Sequence, residues 1–212
     1  MYTGTRSILL ISFILMPSLM FFHSACTDDG KKTARIVPIA SDEPLALVRK
    51  QKWGFIDRTG HAAIGFLFRD ALPFSDGLAL VKKEYKFGYI DKSGTMVISA
   101  RFQDARSFHE GIARVLLSDK WGFIDRTGAF VIHPRYEDAG DFSEGAARVK
   151  IGAWWGFVDK KGRFVAEPRY DGADDFVQGF ARVKIGKKYG FIDKKGRISA
   201  LPVYDNALSF KD

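Results

Sequence analysis

A single period constrains this chain more than any other feature: five near-identical segments begin 34 residues apart. They are Trp53-Gly54-Phe55-Ile56-Asp57, Phe87-Gly88-Tyr89-Ile90-Asp91, Trp121-Gly122-Phe123-Ile124-Asp125, Trp155-Gly156-Phe157-Val158-Asp159 and Tyr189-Gly190-Phe191-Ile192-Asp193. Each is followed by a basic residue, then Thr, Ser or Lys, then glycine, at Gly60, Gly94, Gly128, Gly162 and Gly196. A second element, Gly-x-Ala-x-Val, begins at Gly77, Gly111, Gly145 and Gly179, with a degenerate copy at Leu45-Ala46-Leu47-Val48. Phenylalanines at 74, 108, 142, 176 and 210 keep the same period, so Glu43 to Asp212 holds five whole repeats. A unit this short closes no core alone. It must bury its apolar face against its neighbours.

The interior of the unit reads as strand, although 34 residues is also the length of a helical repeat. Apolar positions alternate and are filled by aromatic and β-branched residues, as in Trp121-Gly122-Phe123-Ile124-Asp125. Asp-Arg-Thr-Gly and Asp-Lys-Ser-Gly between apolar runs are hairpin turns, with Asp bonding the turning backbone and Gly accepting positive φ. In the third repeat the expected strands lie near Ile112 to Leu116, Lys120 to Ile124 and Phe130 to His133, followed by an irregular stretch from Pro134 to Ala139. The fold class is therefore all-β: five tandem, hairpin-rich repeats forming an open superhelical, solenoid-like array. The alternative is a five-bladed propeller-like ring, which three thin strands per unit disfavour, since propeller blades usually carry four.

These motifs resemble the WG-repeat, or KWG-repeat, family, common in bacterial envelope proteins, over Pro44 to Asp212. Phe87 and Tyr189 replace Trp, Pro44 stands near the usual Gly, and Gly65 to Leu67 lacks the proline found at Pro134, Pro168 and Pro202. The resemblance implies a β-rich array with a binding or scaffolding role and no reaction.

Stacking turns each repeated position into a column. The aromatic column Trp53, Phe87, Trp121, Trp155 and Tyr189 reads as core packing beside Gly54, Gly88, Gly122, Gly156 and Gly190; Trp154, off the column, is the better exposed aromatic. The aspartates 57, 91, 125, 159 and 193 read as turn caps and not as calcium ligands, because no second carboxylate recurs beside them. Arg114, Arg148 and Arg182 recur on a strand and are candidate contacts for an anionic partner; the bland reading pairs them with the acidic column Asp76, Glu110 and Glu144 on a solvated face. Further cations repeat at the turn (Arg58, Lys92, Arg126, Lys160, Lys194) and before an aromatic (Arg101, Arg135, Arg169).

The N-terminus argues for export. Ser7 to Phe22 is a nearly continuous apolar run of 16 residues, too short to span about 30 Å of hydrocarbon as a helix and interrupted by Pro17. It ends at His23-Ser24-Ala25-Cys26 and is followed by Thr27-Asp28-Asp29-Gly30-Lys31-Lys32, which resembles a bacterial lipoprotein signal with Cys26 as the lipidated first residue. His23 departs from the aliphatic residue usual at that place, leaving ordinary cleavage and secretion, or an uncleaved anchor, as alternatives. The domains are thus a signal segment at 1–26, a polar linker at 27–42 and the repeats at 43–212. Cys26 is the single cysteine, which excludes an internal disulfide and a cysteine metal site.

No catalytic set suggests itself. The three histidines beyond the signal, His61, His109 and His133, fall at different positions of the repeat, and the glycines are accounted for by turns, so no enzyme, metal or cofactor is expected. The net charge of +8 favours anionic partners, but export and intermixed acids argue against nucleic acid. The expectation is a lipid-anchored cell-envelope protein, facing the periplasm or outer membrane, that binds a protein or anionic glycan; the alternative is a structural spacer with no specific ligand.

Overall fold

The computed structural model describes residues 44–210; the signal segment with Cys26 and the linker lie outside the described residues. Every regular element there is a β-strand. The first unit contains β1 (Ala46–Arg49), β2 (Trp53–Ile56) and β3 (Ala62–Phe68), and the second β4 (Asp70–Ser75), β5 (Leu78–Lys83), β6 (Lys86–Ile90) and β7 (Met96–Phe102). The third contains β8 (Asp104–Ala105), β9 (Ile112–Leu117), β10 (Lys120–Asp125) and β11 (Phe130–Tyr136), and the fourth β12 (Asp138–Ala139), β13 (Ala146–Ile151), β14 (Trp154–Asp159) and β15 (Phe164–Tyr170). The fifth contains β16 (Gly172–Ala173), β17 (Phe180–Ile185), β18 (Lys188–Asp193) and β19 (Ile198–Tyr204). Each unit is one antiparallel meander in sequence order, of three strands in the first sheet and four in the others.

Two details depart from the expected strands. The supposedly irregular stretch after His133 continues β11 through Pro134 to Tyr136, and Asp138–Ala139 adds a short strand to the following sheet. Proline is tolerated because β11 is the edge of its sheet and bulges there: Trp121 faces Tyr136 and Phe123 faces Ile132, four residues of β11 against two of β10.

That bulge explains the aromatic-glycine pair. A Cβ at Gly122 would lie 2.6 Å from the Pro134 backbone nitrogen and 2.8 Å from the Ile132 carbonyl oxygen, and one at Gly156 would lie 2.7 Å from the Ala166 oxygen. Gly54, Gly88 and Gly190 meet the same third-strand backbone at 2.8, 2.6 and 2.6 Å. The column glycine is demanded by the close approach of the neighbouring strand and not by its own φ.

No sheet owns a core. The four hydrophobic clusters each span two successive units; one joins Phe123, Ile132 and Tyr136 of the third to Phe142, Ala147 and Val158 of the fourth. At every junction a buried or half-buried ring meets the periodic phenylalanine of the next step: Phe55–Phe74, Tyr89–Phe108, Phe123–Phe142, Phe157–Phe176 and Phe191–Phe210, at 4.9, 4.8, 5.0, 5.0 and 5.2 Å between centroids. The array is open. In a ring the fifth sheet would be covered as the others are, yet Tyr204 is 49% exposed where Tyr136 and Tyr170 are fully buried.

Gly156→Ala is expected to cost about 1–3 kcal/mol by forcing β15 away from β14. Gly65→Ala, where the new methyl meets only Leu67 at an ordinary 3.6 Å, is expected to be near neutral. Urea midpoints of the two variants check the contrast, and equal losses would refute the close-approach explanation. Phe142→Ala, at a sealed junction, is expected to lose about 3–5 kcal/mol. Phe210→Ala, whose ring is 43% exposed, should lose clearly less in the same measurement.

Candidate functional site

The aromatic column lies at the boundary between core and solvent. Trp121 and Trp155 pack on one side against buried residues of the junction clusters. A cation covers the rings from β9, β13 and β17: Arg114 over Trp121 at 5.1 Å, Arg148 over Trp155 at 5.4 Å and Arg182 over Tyr189 at 4.9 Å. Register produces this contact, since Arg114 faces Phe123 and Leu116 faces Trp121 across the β9–β10 pair, so the arginine and both rings share one face.

Each arginine then reaches into the next step of the array. Nη1 of Arg148 donates to the Ala173 carbonyl at 2.8 Å, and those of Arg114 and Arg182 donate to the Ala139 and Ala207 carbonyls. Their Nε atoms meet carboxylates: Arg114 with Asp141 at 2.8 Å, Arg148 with Asp175 at 3.1 Å and Arg182 with Asp174 at 2.7 Å. The first two contacts are close but not aligned as hydrogen bonds, so they act as charge pairs. Gly140 makes room for this ladder; a Cβ there would lie 2.5 Å from the Asp175 carboxylate and 2.7 Å from Arg148 Nε. Burial pushes the Asp175 carboxyl up against the pull of Arg148, with Asp141 adding to the rise.

The acids expected opposite these arginines do something else. Asp76, Glu110 and Glu144 occupy the first position of two-residue turns, with φ of 49°, 54° and 51° beside Gly77, Gly111 and Gly145. This left-handed pair is the type I′ hairpin geometry and aims the carboxylate away from the strand face. The carboxylates of Asp76, Glu110 and Glu144 accept from the N–H groups of Gly111, Gly145 and Gly179 in the following units, at 2.8, 3.0 and 2.9 Å. Lys160 Nζ lies 3.1 Å from Glu110. These acids staple neighbouring units. The arginine partners are Asp141, Asp175 and Asp174, and the sequence held a signal for them: Asp follows Arg114 and Arg148 by 27 residues, whereas Leu80 is followed at that distance by Ser107.

What the arginines leave free are lysines. Lys150 stands 5.8 Å from the Trp155 ring and Lys184 stands 5.6 Å from the Tyr189 ring, and neither has a carboxylate partner among the described residues. Trp155, Asp174, Arg182, Lys184 and Tyr189 line a cleft of about 220 Å³ between the fourth and fifth units. Trp154 points to the other side of β14, 46% exposed and paired across the hairpin with Ile151. No cluster of metal-ligating side chains occurs among the described residues.

The turn aspartates cap their own hairpins. Asp125 Oδ1 accepts from Thr127 Oγ1, Thr127 N and Ala129 N at 2.6, 2.9 and 3.1 Å. Side-chain donors Thr59, Thr127 and Arg197, with backbone N–H groups, hold Asp57, Asp125 and Asp193 below the ordinary carboxylate range. A lowered folded pKa stabilises the protein above the unfolded value near 3.9 and loses that contribution as pH falls through the folded one. The thermal midpoint is therefore expected to drop between about pH 6 and about pH 3, and to drop less when all three residues are Asn. Melting curves check this, and an undiminished drop in the triple variant would remove the turn caps from the explanation. Asp175, raised, acts in the opposite direction.

The WG containing repeat matches residues 53–87, 87–121, 121–153, 155–189 and 189–212. No curated protein matches the chain. Among solved structures the chain is similar to a plant lectin with two metal binding sites from Cicer arietinum, at 12% identity over 66% of this chain and 90% of that one. The TM-score is 0.29, and a likeness so distant carries no argument about fold or ligand.

Proposed function

The chain belongs to the WG containing repeat family, and from that premise we propose that it is an envelope-tethered binding module for an anionic glycan. The carrying observation is the cleft between the fourth and fifth units, where Lys184 presents an ammonium group without a carboxylate partner beside Tyr189; Lys150 repeats this arrangement beside Trp155 one unit earlier, outside the lining of that cleft. The ladder arginines are spent on Asp141, Asp175, Asp174 and backbone carbonyls, so they hold the aromatic walls and stack the units. The lysines are left to meet carboxylates of a ligand, beside rings whose outer faces the ladder arginines cover. Repetition extends the surface along the array, which suits a polymeric ligand. The role proposed for this surface is capture. Export and a lipid on Cys26 place this surface outside the cytoplasm.

Two measurements test the proposal. The intact mass of the protein from its native membrane should include a diacylglycerol adduct that Cys26→Ala lacks; an unmodified mature chain would sink the tether. Titration of the full chain with uronic-acid oligosaccharides should show binding weakened at least tenfold by Lys150→Ala with Lys184→Ala, and unchanged by Lys161→Ala on the turn edge. No binding, or equal loss in both, would leave the spacer role in place of capture.

A further inference from the structure

The two edges of the array differ in chemistry. One edge carries the Asp turns at 57–61, 91–95, 125–129, 159–163 and 193–197, none of which holds an exposed large apolar side chain. Several cations there are engaged, Arg163 with Asp159, Arg197 with Asp193 and Lys160 with Glu110, at 2.7, 2.6 and 3.1 Å, while Lys92, Lys161 and Lys195 have no carboxylate partner among the described residues. The opposite edge carries the tips of the hairpins joining β5 to β6, β9 to β10, β13 to β14 and β17 to β18, with the loop between β1 and β2 in the same register. Every unit repeats that register and stacks through the same aromatic pair, so the tips follow one another along one edge.

Those tips are apolar and basic together. Tyr85, Ile151, Trp154 and Ile185 are all exposed there. Ile151 faces Trp154 across one hairpin, and Ile185 occupies the same place in the next unit. Lys83, Lys86 and Lys187 flank them without a carboxylate partner among the described residues. The nearby acids are mostly committed: Glu137 to Lys120 and the Gly152 N–H, Asp171 to the Gly186 N–H, Asp205 to Lys188 and Asp119 to Gln103. Glu84 alone stands at a tip without such a bond.

We propose that this edge rests on an anionic phospholipid surface, with Trp154, Ile151, Ile185 and Tyr85 entering the interfacial zone and the tip lysines meeting lipid phosphates. Tryptophan and tyrosine beside aliphatic residues partition to that zone, where an indole keeps its N–H hydrated while its ring leaves water. Unpaired lysines beside them add attraction to a negative leaflet, screened by salt. The opposite edge also carries lysines without a carboxylate partner among the described residues, but no exposed Trp or Tyr, so the tip edge is the one that meets the bilayer. This orientation is separate from glycan capture and shares no required residue with it.

The test uses full-length Cys26→Ala protein, which has no acyl chain, reconstituted with vesicles of phosphatidylglycerol and phosphatidylcholine or of phosphatidylcholine alone. Retention on the vesicles is not the readout; quenching of tryptophan fluorescence by brominated acyl chains is. Quenching should be at least threefold stronger with phosphatidylglycerol and weaken as salt is raised. Trp154→Phe should remove most of it, because Trp53, Trp121 and Trp155 are half-buried. Lys83→Glu, Lys86→Glu and Lys187→Glu combined should reduce it to the neutral-lipid value, whereas Lys184→Ala in the cleft should leave it unchanged. Quenching that survives Trp154→Phe, or that is equal on both lipids, overturns the proposal while leaving the cleft reading untouched.

Discussion

The ring-to-ring contact across each junction is the interaction on which the rest of this protein depends. Phe123 sits in the middle of its own sheet, yet its packing partner, Phe142, arrives 19 residues later in the approach to the next. An edge-to-face pair of this kind adds about 1 kcal/mol beyond the area it buries. More important, it places the hydrophobic core between units and never within one. A single three- or four-stranded meander has nothing on either face, so folding of one unit is conditional on its neighbour. The second unit shows how strict the position is: it carries Tyr89 where the other units have Phe, and the extra hydroxyl is accommodated by donating to the Arg106 carbonyl at 2.7 Å. Burial accordingly pushes that phenol well above its ordinary range.

Close stacking in turn dictates the glycine of the aromatic-glycine pair. The bulged third strand crosses directly over its Cα, which brings Tyr136 opposite Trp121 and directs the column aromatic to the rim of the core. A ring held there has one face packed and one face available, and in this chain the available face is covered by arginine. Covering it with a cation that is itself anchored to the next unit converts a solvent-exposed indole into part of the inter-unit seam. The cleft between the fourth and fifth units lies along that seam, lined by Trp155, Arg182 and Tyr189.

Most of this was legible because it is local. The Asp-x-x-Gly turn announces itself within five residues, and the alternating pattern of Trp121 to Asp125 names a strand without help from elsewhere. Features set by pairing and register were not. Pro134 reads as a strand breaker, and only the edge position of β11, a fact of pairing, makes it compatible with a strand. Asp138–Ala139 is two residues long, shorter than any period can reveal. The aromatic column was legible as packing on one side only, since the arginine over its other face is set by cross-strand register. Nearness in sequence favours Glu110 and Glu144 over Asp141 and Asp175 as partners of the arginines. Turn geometry overrides that nearness, because a residue in left-handed conformation at a type I′ position cannot direct its side chain along the strand face.

The same reasoning accounts for where the five repeats differ from one another. Turn glycines are pressed against the preceding unit: a Cβ on Gly94, Gly128 or Gly162 would lie 3.2, 3.1 or 3.3 Å from Ile64, Ile98 or Ile132. That contact constrains these turns, and Gly60, where a Cβ would meet nothing within 4 Å, keeps Asp-x-x-Gly through its positive φ alone. The hairpin tips press on no preceding unit: a Cβ on Gly152 or Gly186 meets nothing within 4 Å. They are correspondingly diverse, with Glu84-Tyr85, Ser118-Asp119, Gly152-Ala153 and Gly186-Lys187 at equivalent places. Packing constrains one edge and leaves the other to whatever the tips contact. An unconstrained edge drifting without a role would be expected to become polar, as loops facing water do. Here it carries Tyr85, Ile151, Trp154 and Ile185 among unpaired lysines, a combination that water alone does not favour.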